Sequence, residues 1–261
     1  MSGLTLVAIP DTQVRHGVPT EHILAAGNYV ATHEPDIVVM LGDHWDMPSL
    51  NRYASKFESE AARVKEDLKA GNDALDLFMK PIHELNDKRR RHRTKLYRPR
   101  LIYITGNHDP QVRLPRMIEV HPILEGYLEC DTDKRLKDHG FEVVPFLEII
   151  NVEGIRISHF FANPHSAKKS PQGGTIDNML KSSGFSFIQG HTQGMKFGKH
   201  YLTDGTKRIG IVAGSFYQHD ETYMGPQGNK HWHGIIRLDN LNDGYADFSD
   251  ITLERLMEEY L

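Results

Sequence analysis

Residues 36–46 read DIVVMLGDHWD: an apolar, β-branched run that stops at Gly42 and then delivers Asp43, His44, Trp45 and Asp46 in succession. A short continuous apolar run bounded by turn signals predicts a strand buried on both faces. The same pattern recurs on either side. LTLVAI (4–9) ends at Pro10-Asp11-Thr12-Gln13, and LIYIT (101–105) ends at Gly106-Asn107-His108-Asp109. Between the first two runs, TEHILAAGNYVATH (20–33) has apolar residues at helical spacing behind a cap-like Thr20. Strand, helix, strand in this order is the pattern of a parallel pair joined by a crossover helix, so the chain is expected to be α/β.

Working outward, residues 49–87 have a helical composition rich in Ala, Glu, Lys, Leu and Met. Gly71-Asn72 offers a break and Pro81 a kink or stop. With the basic stretch that follows, they predict a helical insertion at about 49–98. Residues 111–125 read as a short helical segment interrupted at Pro115 and Pro122. FLEIINV (146–152) and IRISHFF (155–161) flank Glu153-Gly154, which predicts a hairpin with a two-residue turn. FSFIQG (185–190), RIGIVAG (208–214) and HGIIRLD (233–239) read as further strands, and 250–260 as a short acidic tail of weak amphipathic character. The expectation is one domain spanning 1–261 with two packed sheets.

Composition narrows the class. The chain has 261 residues, 39% of them apolar, enough for a sizeable core. No apolar run approaches the roughly 20 residues that span a membrane. MSGLTLVAIPD lacks the charged start and long apolar stretch of a signal peptide and reads as a first strand. The single cysteine, Cys130, rules out an internal disulfide and a Cys-rich metal site, which fits a reducing cytoplasm. Net charge is −4, yet eight of the 31 basic residues fall in KRRRHRTKLYRPR (88–100). That run reads equally as a solvated helix end or as an electrostatic landing strip for an anionic substrate.

The chemistry sits at the strand ends. Besides Asp11, Gln13, Asp43, Asp46, Asn107 and His108, the strand at 155–158 delivers His159. The strand at 185–189 delivers Gly190-His191-Thr192-Gln193. Ligands of open α/β sheets bind at such ends. Carboxylate oxygen with imidazole is a donor set for Mn, Fe or Zn, less so for Mg or Ca. A glycine before Asp43, Asn107 and His191 allows a sharp turn and close approach to an ion. Singly these signals are weak: an Asp after a strand is usually a cap or turn residue, and a lone His is usually a satisfied polar group. Order and repeated placement give the set its specificity.

That set resembles the calcineurin-like metallophosphoesterase family, whose pattern runs Asp-x-His, Gly-Asp-x-x-Asp, Gly-Asn-His-Asp/Glu, a lone His, then Gly-His-x-His. The matching segments are DTQ (11–13), GDHWD (42–46), GNHD (106–109), His159 and GHTQ (190–193). The resemblance implies a two-sheet β-sandwich flanked by helices and a binuclear metal centre that hydrolyses a phosphate ester with metal-activated water. By position it implies one metal at Asp43 (bridging), Asn107, His159 and His191, and another at Asp11, Gln13, Asp43 and Gln193. Gln13 and Gln193 stand where the pattern has His, and both departures fall on the same metal. Gln offers a harder, weaker oxygen donor. The altered position is then retuned towards Mn or Mg, filled only when substrate phosphate supplies a ligand, completed by His16 or His44, or lost. The resemblance further implies that His108 contacts the phosphate and protonates the leaving group, oriented by Asp46 or Asp109. Asn107 and Arg113 join it in substrate binding.

The function expected is a Mn-dependent phosphodiesterase, with Fe, Zn or Mg as alternatives, acting on a nucleotide or nucleic acid with no membrane partner. Phosphoesterases of bacteriophages and bacteria are similar in carrying a helical insertion between the second and third motifs. That makes a phage-encoded protein acting in host cytoplasm one expectation. The rivals are a phosphomonoesterase, including a protein phosphatase, and a non-catalytic module that binds metal or nucleic acid. Lesser candidates are His231-Trp232-His233 as a phosphate or base-stacking lip, His165, Lys168 and Lys169 near the substrate, and Arg116 beside Arg113. His200, His219 and Tyr217 carry no assignment from sequence.

Overall fold

Side-chain alternation decides what each central strand packs against. The structure is a computed structural model and describes residues 3–50, 63–163, 170–220, 227 and 229–261. Four strands lie parallel: β1 (Leu4–Ile9), β2 (Ile37–Met40), β3 (Arg100–Ile104) and β4 (Phe141–Val144). A second sheet holds β5 (Ile150–Val152), β6 (Ile155–Ser158), β7 (Phe187–Gln189), β8 (Lys196–Tyr201) and β9 (Lys207–Val212). The antiparallel pair β10 (Gly234–Asn242) and β11 (Tyr245–Thr252) extends the first sheet beyond β1. The orders are β11-β10-β1-β2-β3-β4 and β5-β6-β7-β9-β8, the latter with a parallel centre and antiparallel edges.

Leu6, Ala8, Ile37, Val39, Ile102 and Ile104 face the second sheet and meet Ile157, Ile188, Ile209 and Ile211. Their neighbours Val7, Ile9, Val38, Met40 and Tyr103 face the other way, onto helices. There α1 (Glu21–His33) and α2 (Val64–Arg91) supply Ile23, Tyr29, Leu75 and Phe78. On the outer face of the second sheet, Phe187 and Val212 pack against Met179 and Leu180 of a helix at Ile176–Ser183. The layers are therefore helix, sheet, sheet, helix. The central strands of both sheets are covered on both faces, which is why they read as unbroken apolar runs. The Glu153-Gly154 turn has φ of 49° and 85°, the doubly positive geometry of a two-residue hairpin.

Several expectations change. Gly71-Asn72 does not break α2, and Pro81 lies inside it. Phe78, Met79 and Ile82 are buried on either side of Pro81, so packing outweighs the hydrogen bond that the proline removes. A Cβ on Gly71 would lie 2.0 Å from Trp45 Cδ1, so the glycine marks the closest approach of α2 to the loop after β2. Pro115 likewise lies inside a helix, α3 (Pro110–Val120), while Pro122 opens a separate 3-10 turn. Three strands escaped the sequence reading: β4, β8 and β11. Each lies at a sheet edge, and β8 and β11 carry largely polar residues. The acidic tail completes β11 and then forms a helix at Leu253–Tyr260 that buries Leu256.

The basic run 88–100 ends α2 and leads into the start of β3, whereas GNHD follows the end of β3. Five residues of strand separate them by about 16 Å. Arg89 pairs with Glu34 and Arg100 with Glu142. The run therefore lies at the opposite end of the sheet from GNHD. Residues 51–62 of the expected insertion, and His165, Lys168 and Lys169, lie outside the described residues. No described helix is long and apolar enough to cross a membrane.

Two stability predictions follow from this packing. Helix propensity alone would favour Gly71→Ala by up to about 1 kcal/mol. The clash with the Trp45 ring should reverse that sign and cost about 1–3 kcal/mol, read from the urea midpoint; a stabilised variant would refute the close approach. Burial pushes the imidazoles of His22 and His44 down to about 4. Such groups bind fewer protons folded than unfolded, so their contribution is complete above about pH 6.5 and is lost progressively towards pH 4. His22→Leu should flatten that slope by about 1.4 kcal/mol per pH unit relative to wild type. Parallel stability curves would sink the assignment.

Candidate metal centre

Parallel strands send their following loops to one edge, and β1, β2, β3, β6 and β7 deliver their polar residues there. The turns are tight. Gln13, Asp43 and His191 all have positive φ (39°, 51° and 61°), a strained region for side-chain-bearing residues. A Cβ on Gly106 would lie 2.1 Å from Asp43 Oδ1, and one on Gly190 2.5 Å from Asp11 Oδ1. Each carboxylate rests on bare backbone.

Asp43, His159 and His191 each offer one donor atom, all within 4.8 Å of one another. His159 is fully buried. Its Nδ1 donates to Leu41 O at 2.7 Å, while Nε2 faces Asp43 Oδ2 at 3.3 Å and Asn107 Oδ1 at 3.1 Å. A carbonyl bond at Nδ1 fixes the ring orientation and leaves Nε2 for a ligand. Burial pushes His159 down, but Asp43 and the hydrogen bonds carry it up to about 10. Burial pushes Asp43 up, and His159 and His108 more than offset this, holding it well below the carboxylate range. Burial and the charge on His159 lower His191 to about 4, leaving a neutral imidazole. A carboxylate and two imidazoles within 4.8 Å of one another, with Asn107 Oδ1 beside His159, are donors that fit a divalent ion of the Mn, Fe or Zn type.

The Asp11 side is different. Asp11 Oδ1 accepts from His191 N at 3.0 Å, and its Oδ2 is buried without a hydrogen-bond partner. Burial, then the charge on Asp43, push its carboxyl up to about 7. Gln193 Nε2 donates to Gln13 Oε1 at 3.3 Å, and Tyr217 OH donates to Gln193 Oε1 at 2.8 Å. The two carboxamides bond one another, so this arrangement does not present a complete cation donor set. His44 does not complete it: Nδ1 meets Thr12 Oγ1 at 2.8 Å, and Nε2 donates to Gly71 O at 2.9 Å. His16 is exposed and outside the cluster.

His108 borders the cluster. Its backbone N donates to Asp43 Oδ1 at 2.7 Å, and its Nδ1 lies 2.9 Å from Asp46 Oδ1. Burial lowers its pKa, and Asp43 with Asp46 raises it by more, so the net shift is upward. The other oxygen of Asp46 meets Arg15 Nη2 at 2.9 Å. Arg15 escaped the sequence reading, since a lone Arg on a loop carries no spacing signal. Of the two acids considered for orienting His108, Asp46 touches it. Asp109 instead accepts from the backbone N of Gly106 (2.6 Å), Asp43 (3.2 Å) and Trp45 (3.3 Å), tying GDHWD to GNHD. Arg113 Nη1 donates to Met47 O at 2.7 Å, bracing the same loop. Arg116 lies over the Phe146 ring, and His200 pairs with Asp177 on the surface. The helical segment anchors the loop as well: besides Gly71 O, Asn72 accepts from Trp45 Nε1 at 3.3 Å, and Asp67 from Ser49 N at 3.0 Å.

No family model and no curated protein matches the sequence. Among solved structures, YfcE, a phosphoesterase from E. coli, is similar with a TM-score of 0.35 and 12% identity, covering 96% of this chain and 100% of that chain. A likeness that distant identifies neither family nor activity.

Asp109 ligates nothing in the cluster, yet it holds the backbone that presents Asp43. Asp109→Asn puts an NH2 where an acceptor is needed and should cost about 1–3 kcal/mol of stability. It should also weaken Mn binding measured by calorimetry. An unchanged unfolding midpoint would show that the loops are held elsewhere.

Proposed function

We propose that the protein is a metal-dependent phosphodiesterase acting on a nucleotide or nucleic-acid phosphodiester. Asp43, Asn107, His159 and His191 would hold the ion, with Mn the first choice. The observation that carries this reading is the His108–Asp46 pair, at 2.9 Å, standing next to that donor cluster on the same loops. A bound divalent ion supplies Lewis acidity, lowering the pKa of water and neutralising phosphate charge. The chain's own residues then have distinct tasks. Nδ1 of His108 is committed to Asp46, which leaves Nε2 to face a leaving group. Its hydrogen bond to Asp46 favours the protonated ring that a proton donor needs. As the water oxygen bonds to phosphorus, giving up one proton to solvent, and the P–O bond breaks, the Nε2 proton passes to the departing oxygen. Asp46 stabilises the imidazolium before transfer, and Arg15 offsets the charge of Asp46. Asn107, His108 and Arg113 were the substrate-binding candidates. Arg113 is engaged with Met47 O, so Asn107 and His108 are kept in that role.

A proton donor matters most where the leaving group is a poor alkoxide, as in natural diesters, and this favours a diester. The basic run 88–100 lends no support, because it lies at the far end of β3. Cytoplasmic action, in bacterial or phage-infected cells, belongs to the same proposal and fits the single, exposed Cys130.

Paired assays on a bis-aryl and an aryl phosphate should show Mn-dependent turnover that favours the diester and is abolished by chelation. A monoester preference would replace the proposal with a phosphomonoesterase. No turnover with any divalent ion would leave a binding module. His108→Ala should lower kcat by about 10²–10⁴ while the bound metal is unchanged; an undiminished rate would remove His108 from the chemistry.

A further inference from the structure

The donor cluster is bordered by a run of rings whose outer end carries a positive charge. β4 is parallel to β3, so the turn that follows it reaches the same edge as the metal centre. Glu148 N donates to Pro145 O at 3.1 Å and closes that turn, with Leu147 at φ 68°. A positive φ at the third turn position is ordinarily left to Gly or Asn. The conformation sets Phe146 at the corner, half-buried.

From there the rings run inward. Phe146 meets Phe160 edge-to-face at 5.7 Å and lies 6.1 Å from the His159 ring. Phe160, next to His159 in the chain, lies against the His191 ring at 4.7 Å. Both imidazoles of the donor cluster are therefore flanked by phenyl rings. Phe160 is buried and its surface is spent on packing. Phe146 keeps part of its ring in reach of solvent, and Arg116 of α3 lies over it with Cζ 5.7 Å from the centroid. Arg116 is exposed, and among the described residues no carboxylate pairs with it. A ring and a guanidinium side by side offer a nucleotide what it needs: a π face for the base and a fork of donors for a phosphate. The chemistry assigned to His108 uses neither, since that residue is held by Asp46 of the loop after β2.

We propose that Phe146 and Arg116 form a nucleotide subsite beside the metal centre. Phe146 stacks on the base of the retained nucleotide, and Arg116 receives the next phosphate along the strand. The ring flanks His159, whereas His108 faces the leaving group, so the stacked base belongs to the nucleotide that keeps the scissile phosphate. On binding, the base takes the place of the guanidinium against the ring, and the long, exposed Arg116 side chain turns to the phosphate. The subsite selects a nucleic-acid strand over a small alkyl diester. The inference rests on the phosphodiesterase reading above and concerns only which diester the cleft prefers.

The test compares three Mn-dependent substrates that share one leaving group. They are methyl p-nitrophenyl phosphate, thymidine 5′-(p-nitrophenyl phosphate) and the 3′-phosphorylated form of the latter. Wild type should take them with KM falling in that order. Phe146→Ala should raise KM about 5–100-fold for both thymidine esters and leave the methyl ester within about twofold. Phe146→Leu keeps the apolar bulk, so it tests the same role in a protein that folds, and it should shift KM in the same direction. Arg116→Ala, at an exposed position, should raise KM only for the 3′-phosphorylated ester and remove the extra salt dependence of that substrate. Phe146 variants with unaltered KM for the thymidine esters, or with an equal rise for all three substrates, would overturn the stacking role. An Arg116→Ala protein that favours the 3′-phosphorylated ester as strongly as wild type does would overturn the phosphate role. Absence of turnover of all three esters by wild type would instead overturn the phosphodiesterase reading, and the subsite with it, so the two failures are distinguishable.

Discussion

A single buried carboxylate sets the constraint around which the cleft is arranged. Asp43 is 2% exposed, and a charge taken out of water at that depth must be met by partners on every side. One of its oxygens takes the backbone N–H of His108, and the other faces His159. Its own N–H is held by Asp109, and Gly106 leaves room for its carboxylate. These partners come from two other strand ends, those of β3 and β6. The charge therefore selects one mutual placement of β2, β3 and β6, and a cation or a shared proton is what completes it.

The long helix becomes intelligible from the same point. It is not an appendage on the sandwich. Gly71, Asn72 and Asp67 receive His44, Trp45 and the backbone of Ser49, so α2 fixes the loop that carries Asp43 and Asp46. The core residues of α2 bury against the first sheet and bring that rigidity from the packed interior to the strand ends. His44 illustrates how much the environment decides. Within GDHWD it looks like a ligand, yet one ring nitrogen meets Thr12 of the loop after β1 and the other donates to Gly71 of α2.

The two halves of the cleft are unequal in their chemistry. On the Asp43 side, carboxylate, amide and imidazole donors converge. On the Asp11 side, amides bond each other and a tyrosine. This asymmetry follows from Gln13 and Gln193 together. An imidazole would offer an ion a nitrogen donor, whereas an amide offers only a neutral, weaker oxygen.

The apolar runs at 4–9, 36–41 and 101–105 were legible as strands because these central strands are covered on both faces. The strand-end donors Asp43, Asn107, His159 and His191 were legible because parallel strands must release their loops at one edge. Edge strands β4, β8 and β11 were not legible, since β8 and β11 carry mixed, largely polar residues. Nor was the division of labour between Asp46 and Asp109: Asp109 adjoins His108 in sequence, yet Asp46 is the acid that touches it. The sequence by itself determined the α/β layering and the donor types gathered at one sheet edge, because periodicity and residue chemistry are local properties. Only the tertiary structure decided which acid orients His108, that Gly71 admits a ring, and that Gln13, Gln193 and Tyr217 share one hydrogen-bonded run. These depend on distances between segments far apart in the chain, and spacing along a sequence does not encode them.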